Sequence, residues 1–422
     1  MRCWILRLLV ILSTANRMGT MRLQCSKEFC YLYDVSSQED TFAYQYIPKD
    51  VDILTVENVM MEHVDHSILD GVPSFIDNLI IQNSYTLRWI SVPQAVGNLL
   101  IVTSNLRRID IEANSSMTYL GVSLCDLVKV PDALQNARQL EWLHITSCKL
   151  QGLNLASLCD NAHLGTLNLM GNKIRYVVNT STRYCGMYDT LASITLSENL
   201  LTTVNMELFG VLVKMDTLYL HNNRIRALAG ELIHSTVIEL RMDGNKLMDL
   251  DLCGWCVPSL TRILLDRNNL TFIPECLNML TNVSLFTMRS NQLSNFSIES
   301  VAGMNNLRHL DLSCNKLTMV SLQTVNFPAN LELLNVDYNN LTALDLFFIP
   351  VKVALQVRVS FNLISNFDVS VASRNVTQLT MYDNLIVCEW NTPLVRERNR
   401  CNKTEGNVLL VHNARLRSVC RN

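Results

Sequence analysis

The chain is 422 residues long, 49% apolar and only 17% charged, with a formal net charge of -3. That near-neutral balance excludes a partner chosen by bulk charge, and the absence of Lys/Arg runs excludes an evident nucleic-acid surface. Its 14 cysteines point to an oxidising compartment rather than the cytosol.

Residues 1–15 read as a secretory signal. Arg2 and Arg7 lie near the front, Leu8 to Leu12 form an apolar run, and Ser13-Thr14-Ala15 supply small residues for cleavage. Residues 16–50 then form an N-terminal cap around Cys25 and Cys30, where a stack of repeats needs a cover over its open core.

Residues 51–387 carry the organising pattern. Leu307, Leu310, Leu312, Asn315 and Leu317 spell L-x-x-L-x-L-x-x-N-x-L, and Leu331, Leu334, Val336, Asn339 and Leu341 repeat it 24 residues on. With the asparagine as position nine, the register recurs at Asn172, Asn199, Asn223, Asn245, Asn268, Asn291, Asn315, Asn339, Asn362 and Asn384, at spacings of 22 to 27 residues. Upstream it continues through Cys148, Cys125, Ser104, Ser84 and Val59, giving about fifteen leucine-rich repeats. An asparagine buried at a bend both donates and accepts, so it satisfies backbone groups that no neighbouring strand reaches. Cys125 and Cys148 are expected there as small buried thiols. The expected fold is an α/β solenoid: a leucine-rich-repeat horseshoe with a parallel concave sheet and a cysteine-containing cap at each end.

Register also predicts bridges. Cys253 and Cys276 each lie eight residues beyond a ladder asparagine in successive repeats, and Cys159 and Cys185 occupy neighbouring return segments, so both pairs fall within disulfide reach. Cys256 competes for Cys253. The run Cys253-Gly254-Trp255-Cys256 has the spacing of a redox motif or half a zinc site, but it lacks a second ligand pair and a thioredoxin-like setting, which favours structural disulfide chemistry. Residues 388–422 form the second cap. Cys388 and Cys420 are pairing candidates there, and Thr392-Pro393 reads as the start of a capping helix. Losing Cys3 with the signal leaves an odd number of cysteines, so one remains over, or three if Cys125 and Cys148 stay reduced; the candidates are Cys314 and Cys401, joining a second chain or, for Cys314, buried and inert.

Eight sequons mark candidate N-glycosylation sites at Asn114, Asn179, Asn269, Asn282, Asn295, Asn340, Asn375 and Asn402. None is a ladder asparagine. Positions three, five, seven and eight of each repeat are expected on the concave face, because strand side chains alternate. They supply a candidate binding surface of Tyr219, His221, Arg241, Asp243, Asp266, Arg267, Arg289, His309, Asp311, Asp337 and Tyr338. Arginine and tyrosine are favoured at interface hot spots, whereas the competing reading is a charged face that only keeps the solenoid soluble. The N-terminal repeats offer an apolar face instead, with Ile53, Ile80, Leu100, Val102 and Trp142. His221, Asp243 and Asp266 on successive rungs invite an acid-base or metal reading, but an open solvated face without a catalytic motif argues against an enzyme. No cofactor, metal, nucleic acid or membrane span is expected; no apolar run approaches ~20 residues.

The Cys25 and Cys30 pair, the repeats, and the exit Asn384-Leu385-Ile386-Val387-Cys388-Glu389-Trp390 without the usual four-cysteine vertebrate cap together resemble secreted insect leucine-rich-repeat proteins, most nearly the mosquito leucine-rich immune family. The resemblance implies circulation in haemolymph and a part in complement-like defence. Partners it suggests are a thioester-containing complement-like protein, another leucine-rich immune protein, or a pathogen surface. Members that form disulfide-linked dimers use a C-terminal coiled coil; no heptad segment precedes Asn422, so the chain resembles a coil-less type. The expected function is secreted recognition through the concave face, with an extracellular adhesion or matrix module, or a receptor ectodomain working with a separate signalling subunit, as the alternative.

Overall fold

The computed structural model describes residues 21–368 and 371–385, together with the backbone of the strands Lys403–Glu405 and Val408–Val411. The expected signal, Cys388, Cys401, Cys420, Asn402 and the helix expected after Thr392 lie outside the described residues. The chain divides into two compact units, Met1–Leu201 with Val211–Met215, and Thr202–Gly210 with Asp216–Asn422.

The first unit opens with an antiparallel hairpin, Arg22–Cys25 against Phe29–Tyr33, closed by a Cys25–Cys30 disulfide. From Phe29–Tyr33 onward pairing is parallel, through Ile53–Glu57, Asn78–Ser84, Asn98–Ser104, Tyr119–Ser123, Trp142–Thr146, Thr166–Asn168 and Ser193–Thr195. The register places Cys30, Leu54, Leu79, Leu99, Leu120, Leu143, Leu167 and Ile194 in one inward column, all buried. Because the side-chain period is two, their neighbours along each strand face outward.

The second unit repeats the scheme with Thr217–Tyr219, Glu239–Arg241, Arg262–Leu264, Leu285–Thr287, His309–Asp311, Leu333–Asn335, Leu355–Arg358, Val376–Thr380 and Val408–Val411. Its inward column is Leu218, Leu240, Ile263, Phe286, Leu310, Leu334, Val357 and Leu379.

The return segments are short strands and 3-10 turns, such as Asn295–Ser297 and Ile298–Val301. Among the described residues the one α-helix is the four-residue His66–Leu69. A return of so few residues must span the same length as the front strand, and extended or 3-10 backbone covers more distance per residue than an α-helix.

Position nine does the work expected of asparagine. Asn268 Nδ2 donates to Met242 O in the preceding repeat and to Leu265 O in its own, both at 3.0 Å, and its Oδ1 accepts from Leu247 N–H at 3.0 Å. The residue before it turns left-handed in rung after rung, as at Gly244 (φ +68°), Arg267 (+52°) and Ser290 (+56°).

Upstream the expectation of reduced thiols is overturned, because Cys125 and Cys148 form a disulfide. The reason is geometric: position nine of adjacent rungs lies one strand spacing apart, here 4.6 Å between Cα atoms, inside the range that a disulfide spans.

Candidate functional site

The candidate surface is the outward face of the parallel sheet, and it differs between the units. In the second unit Arg241 and Arg267 converge on one buried carboxylate: Arg267 Nη2 lies 3.0 Å from Asp243 Oδ2, and Arg241 Nε 3.4 Å from Oδ1. The Arg241 guanidinium also sits 5.7 Å from the centre of the Tyr219 ring, and that ring is 6.1 Å from His221. Asp243 has a side chain only 6% exposed, whereas Arg267 is 56% exposed. The carboxylate therefore acts as a hidden anchor that presents a guanidinium to solvent.

The remaining aspartates of the predicted surface are tied to the backbone. In a parallel rung the position-seven N–H points back toward the preceding repeat and needs an acceptor. Asp266 Oδ1 supplies it for Arg289 N–H at 2.8 Å, and Asp337 Oδ1 for Ser360 N–H at 2.5 Å. Elsewhere the rung's own position five does so, with Asp311 accepting from Ser313 N–H at 2.9 Å and Asn335 from Asp337 N–H at 3.1 Å. Asp311 also accepts from Asn335 Nδ2 at 3.1 Å. Burial pushes the Asp266 carboxyl up to about 6, with Asp311 and Asp243 adding to the rise. Burial likewise pushes Asp337 up to about 6, Arg358 pulling the other way. The acid-base or metal reading of His221, Asp243 and Asp266 loses two of its members to these commitments.

His309 is exposed, its Nε2 lying 3.9 Å from Glu332. Toward the end of the unit, Arg289, Asp337 and Tyr338 border a cleft of about 390 Å3 whose other walls include Asn335, Arg358, Phe361, Gln378, Thr380 and Tyr382. Its floor holds the buried Ser313 and Ser360. Tyr338 and Phe361 stack across successive rungs, 4.1 Å apart and 6° from parallel. Phe361, Gln378, Thr380 and Asn335 were not singled out from sequence. The signal for Phe361 was present: it stands immediately before Asn362, as Tyr338 does before Asn339.

The first unit shows an aromatic and aliphatic face instead. Tyr31 stacks on Tyr33 at 5.8 Å, and Arg22 lies 5.0 Å above Tyr33. Ile53, Ile80, Leu100 and Val102 are half-buried, and Trp142 is exposed. Tyr119 packs edge-on to His144 at 5.5 Å, and burial lowers the His144 pKa, which keeps the ring neutral at pH 7.

Cys159 bonds Cys185 and Cys253 bonds Cys276. Cys256 is free and exposed. Of the two candidates for the leftover thiol, Cys401 lies outside the described residues and Cys314 is disulfide-bonded; position eight stands at the edge of the outward face, where a second sulfur can approach. Asp251 lies close to Cys253 and Cys276, but those sulfurs are spent on each other and offer a metal no thiolate.

The sequons sort by what their amides do. Asn114, Asn269, Asn282, Asn295, Asn340 and Asn375 are exposed. Asn282 Nδ2 donates to Pro258 O at 2.6 Å, Asn375 Nδ2 to Ile349 O at 2.8 Å, and the half-buried Asn179 to the Tyr188 hydroxyl at 2.6 Å. Among the described residues no helix is long and apolar enough to cross a membrane.

No protein-family model and no curated protein sequence matches the chain. Many solved structures do match in shape. A leucine-rich-repeat protein of Leptospira interrogans aligns at 18% identity over 86% of this chain and 96% of its own, with a TM-score of 0.55. The LRIM1/APL1C complex aligns at 15% identity over 94% of this chain and 72% of that one, with a TM-score of 0.52. TLR13 bound to ssRNA13 aligns at 15% identity over 78% of this chain and 53% of that one, with a TM-score of 0.57. At such identities the likeness is one of fold, and with the repeat register and the parallel ladders it establishes the chain as a leucine-rich-repeat solenoid.

Proposed function

We propose that this chain is a secreted, glycosylated recognition protein of insect innate immunity that binds a protein partner through the outward face of its sheet. The observation that carries the reading is the anchored arginine pair: Asp243 fixes Arg241 and Arg267, with Tyr219 beneath Arg241. Side chains held in place before binding lose less entropy on complex formation, and arginine beside tyrosine is the composition of an interface hot spot. The four described disulfides support an oxidising compartment. The LRIM1/APL1C complex and TLR13 with ssRNA13 are leucine-rich-repeat structures solved with a bound partner, which supports a binding role in general. The immune assignment, with a thioester-containing complement-like protein or a second leucine-rich immune protein as partner, is supported by the sequence resemblance.

The test is charge reversal at Arg241, Arg267 and Arg289 together, with partner capture measured from haemolymph by mass spectrometry. Capture is expected to fall at least about tenfold per arginine that contributes 1.4 kcal/mol, while secretion continues at its normal level. Undiminished capture would move the site off this strip.

A further inference from the structure

The cleft near the end of the second unit has a chemistry different from the arginine strip. Tyr338 and Phe361 occupy position eight of successive rungs with φ of +56° and +55°. Left-handed backbone suits glycine or asparagine and disfavours residues with bulky rings. Other rungs place small or polar residues there, such as Gly171, Asn222, Gly244 and Ser290. Two half-exposed rings in that position, stacked face to face 4.1 Å apart, form an apolar shelf with one outer face on each ring, which neither the core nor the ladder requires.

Around the shelf the walls are polar. Asn335 and Gln378 bring amides, Arg358 a guanidinium, and Asp337 a carboxylate. A cleft of about 390 Å3 is near the lower end of the range for small-ligand pockets and holds one or two rings. An aromatic peptide side chain would need apolar walls as well as a shelf. A phosphate would meet Asp337. A sugar ring presents an apolar C–H face for stacking and, around its rim, hydroxyls that both donate and accept; the Gln378 amide and the Arg358 guanidinium match that rim.

We propose that this cleft is a saccharide subsite, taking one pyranose unit of a neutral glycan against an outer ring face of the Tyr338–Phe361 stack, with Arg358 and Gln378 bonding its hydroxyls. The inference rests on the reading of the outward face as a recognition surface and names a ligand class for one part of it.

Binding of chitotriose, laminaritriose and mannotriose to the secreted full chain, followed by saturation-transfer NMR and calorimetry, tests it. One of the three is expected to bind. Phe361→Asn, which places a residue tolerant of positive φ there and so preserves the backbone, should weaken that binding at least tenfold. Gln378→Ala should weaken it several-fold, and both variants should keep the wild-type melting temperature. Binding of none of the three sugars, or undiminished binding in both variants, overturns the subsite. Loss of protein-partner capture in Phe361→Asn without any sugar binding also overturns it, and gives the cleft to the protein interface. The arginine reversal reports separately: capture lost there while no sugar binds leaves the recognition surface standing and removes only the saccharide.

Discussion

The front rungs of the first unit and the rungs of the second solve one backbone problem in two ways. Where position nine is Val59, Ser84, Ser104, Cys125 or Cys148, the front strands run five to seven residues, as in Asn78–Ser84 and Asn98–Ser104. Where it is asparagine, they shorten to three from Thr166–Asn168 through Leu333–Asn335, and lengthen to four and five at Leu355–Arg358 and Val376–Thr380. The bend leaves the same N–H and C=O groups needing partners in both cases. A longer ladder reaches some of them directly, with Ser84 pairing in register with Ser104. A short strand hands them to an amide side chain. From Asn172 to Asn339 asparagine is thus an alternative to strand length, and the N-terminal rungs keep the repeat without it.

The sharpest way to break this comparison is to remove position nine from each kind of rung. Asn291→Ala leaves Leu270 N–H unpaired and takes one donor each from the carbonyls of Leu265 and Met288, which keep Asn268 Nδ2 and Asn315 Nδ2. At roughly 1–3 kcal/mol for the buried N–H left unpaired and about 1 kcal/mol for each of the other two hydrogen bonds lost, a loss of about 4 kcal/mol is expected, together with a fall in secretion. Ser104→Ala should cost under about 0.5 kcal/mol, because its hydroxyl is buried without a partner already. Urea denaturation of the two variants side by side measures both. Equal losses would mean that the serine rungs depend on position nine after all.

A second test concerns the disulfide that stands where asparagine begins. Replacing Cys125 and Cys148 together by alanine opens a link across 23 residues, and the chain-entropy estimate for such a loop is about 3 kcal/mol. The fall in the denaturation midpoint should be concentrated in the first unit, readable by hydrogen exchange at Leu120 and Leu143. Uniform loss across Leu240 and Leu310 as well would show that the bridge does not act locally.

These differences also mark what the sequence could express. The ladder, the inward leucines and the Cys253–Cys276 and Cys159–Cys185 spacings are periodic, and periodicity survives in one dimension. Cys125 and Cys148 were periodic too, yet their bond was hidden because position nine suggested a reason for burial and no reason for pairing. On the sheet face, the repeat pattern determines position but not occupation. Asp243, Asp266, Asp311 and Asp337 all stood at outward positions, and nothing in their spacing tells a carboxylate offered to a partner from one bonded to the N–H of the next rung. The cleft was harder still. It arises where small Ser313 and Ser360 lie between larger neighbours, a contrast in side-chain size across rungs that no single repeat displays.

The smallest expected effect comes from those buried aspartates and has opposite signs in the two units. In the second, Asp266 and Asp337 are pushed up to about 6 by burial, above the unfolded value of about 3.9. Between roughly pH 4 and 6 the folded state therefore binds more protons than the unfolded one, so stability is greatest below that window and declines as pH rises through it, by up to about 2 kcal/mol for each carboxylate. In the first unit, Asp126 is lowered, chiefly by its hydrogen bond with Lys149, with Arg107 and Arg88 assisting. Its contribution is present above the unfolded pKa and disappears as pH falls. Asp266→Asn with Asp337→Asn should remove the decline between pH 4 and 6 seen in melting temperature, and Asp126→Asn should leave that decline intact. If the double variant retains the full decline, its source lies outside the two carboxylates, and the outward aspartates of the second unit are ionised like ordinary surface groups despite their burial.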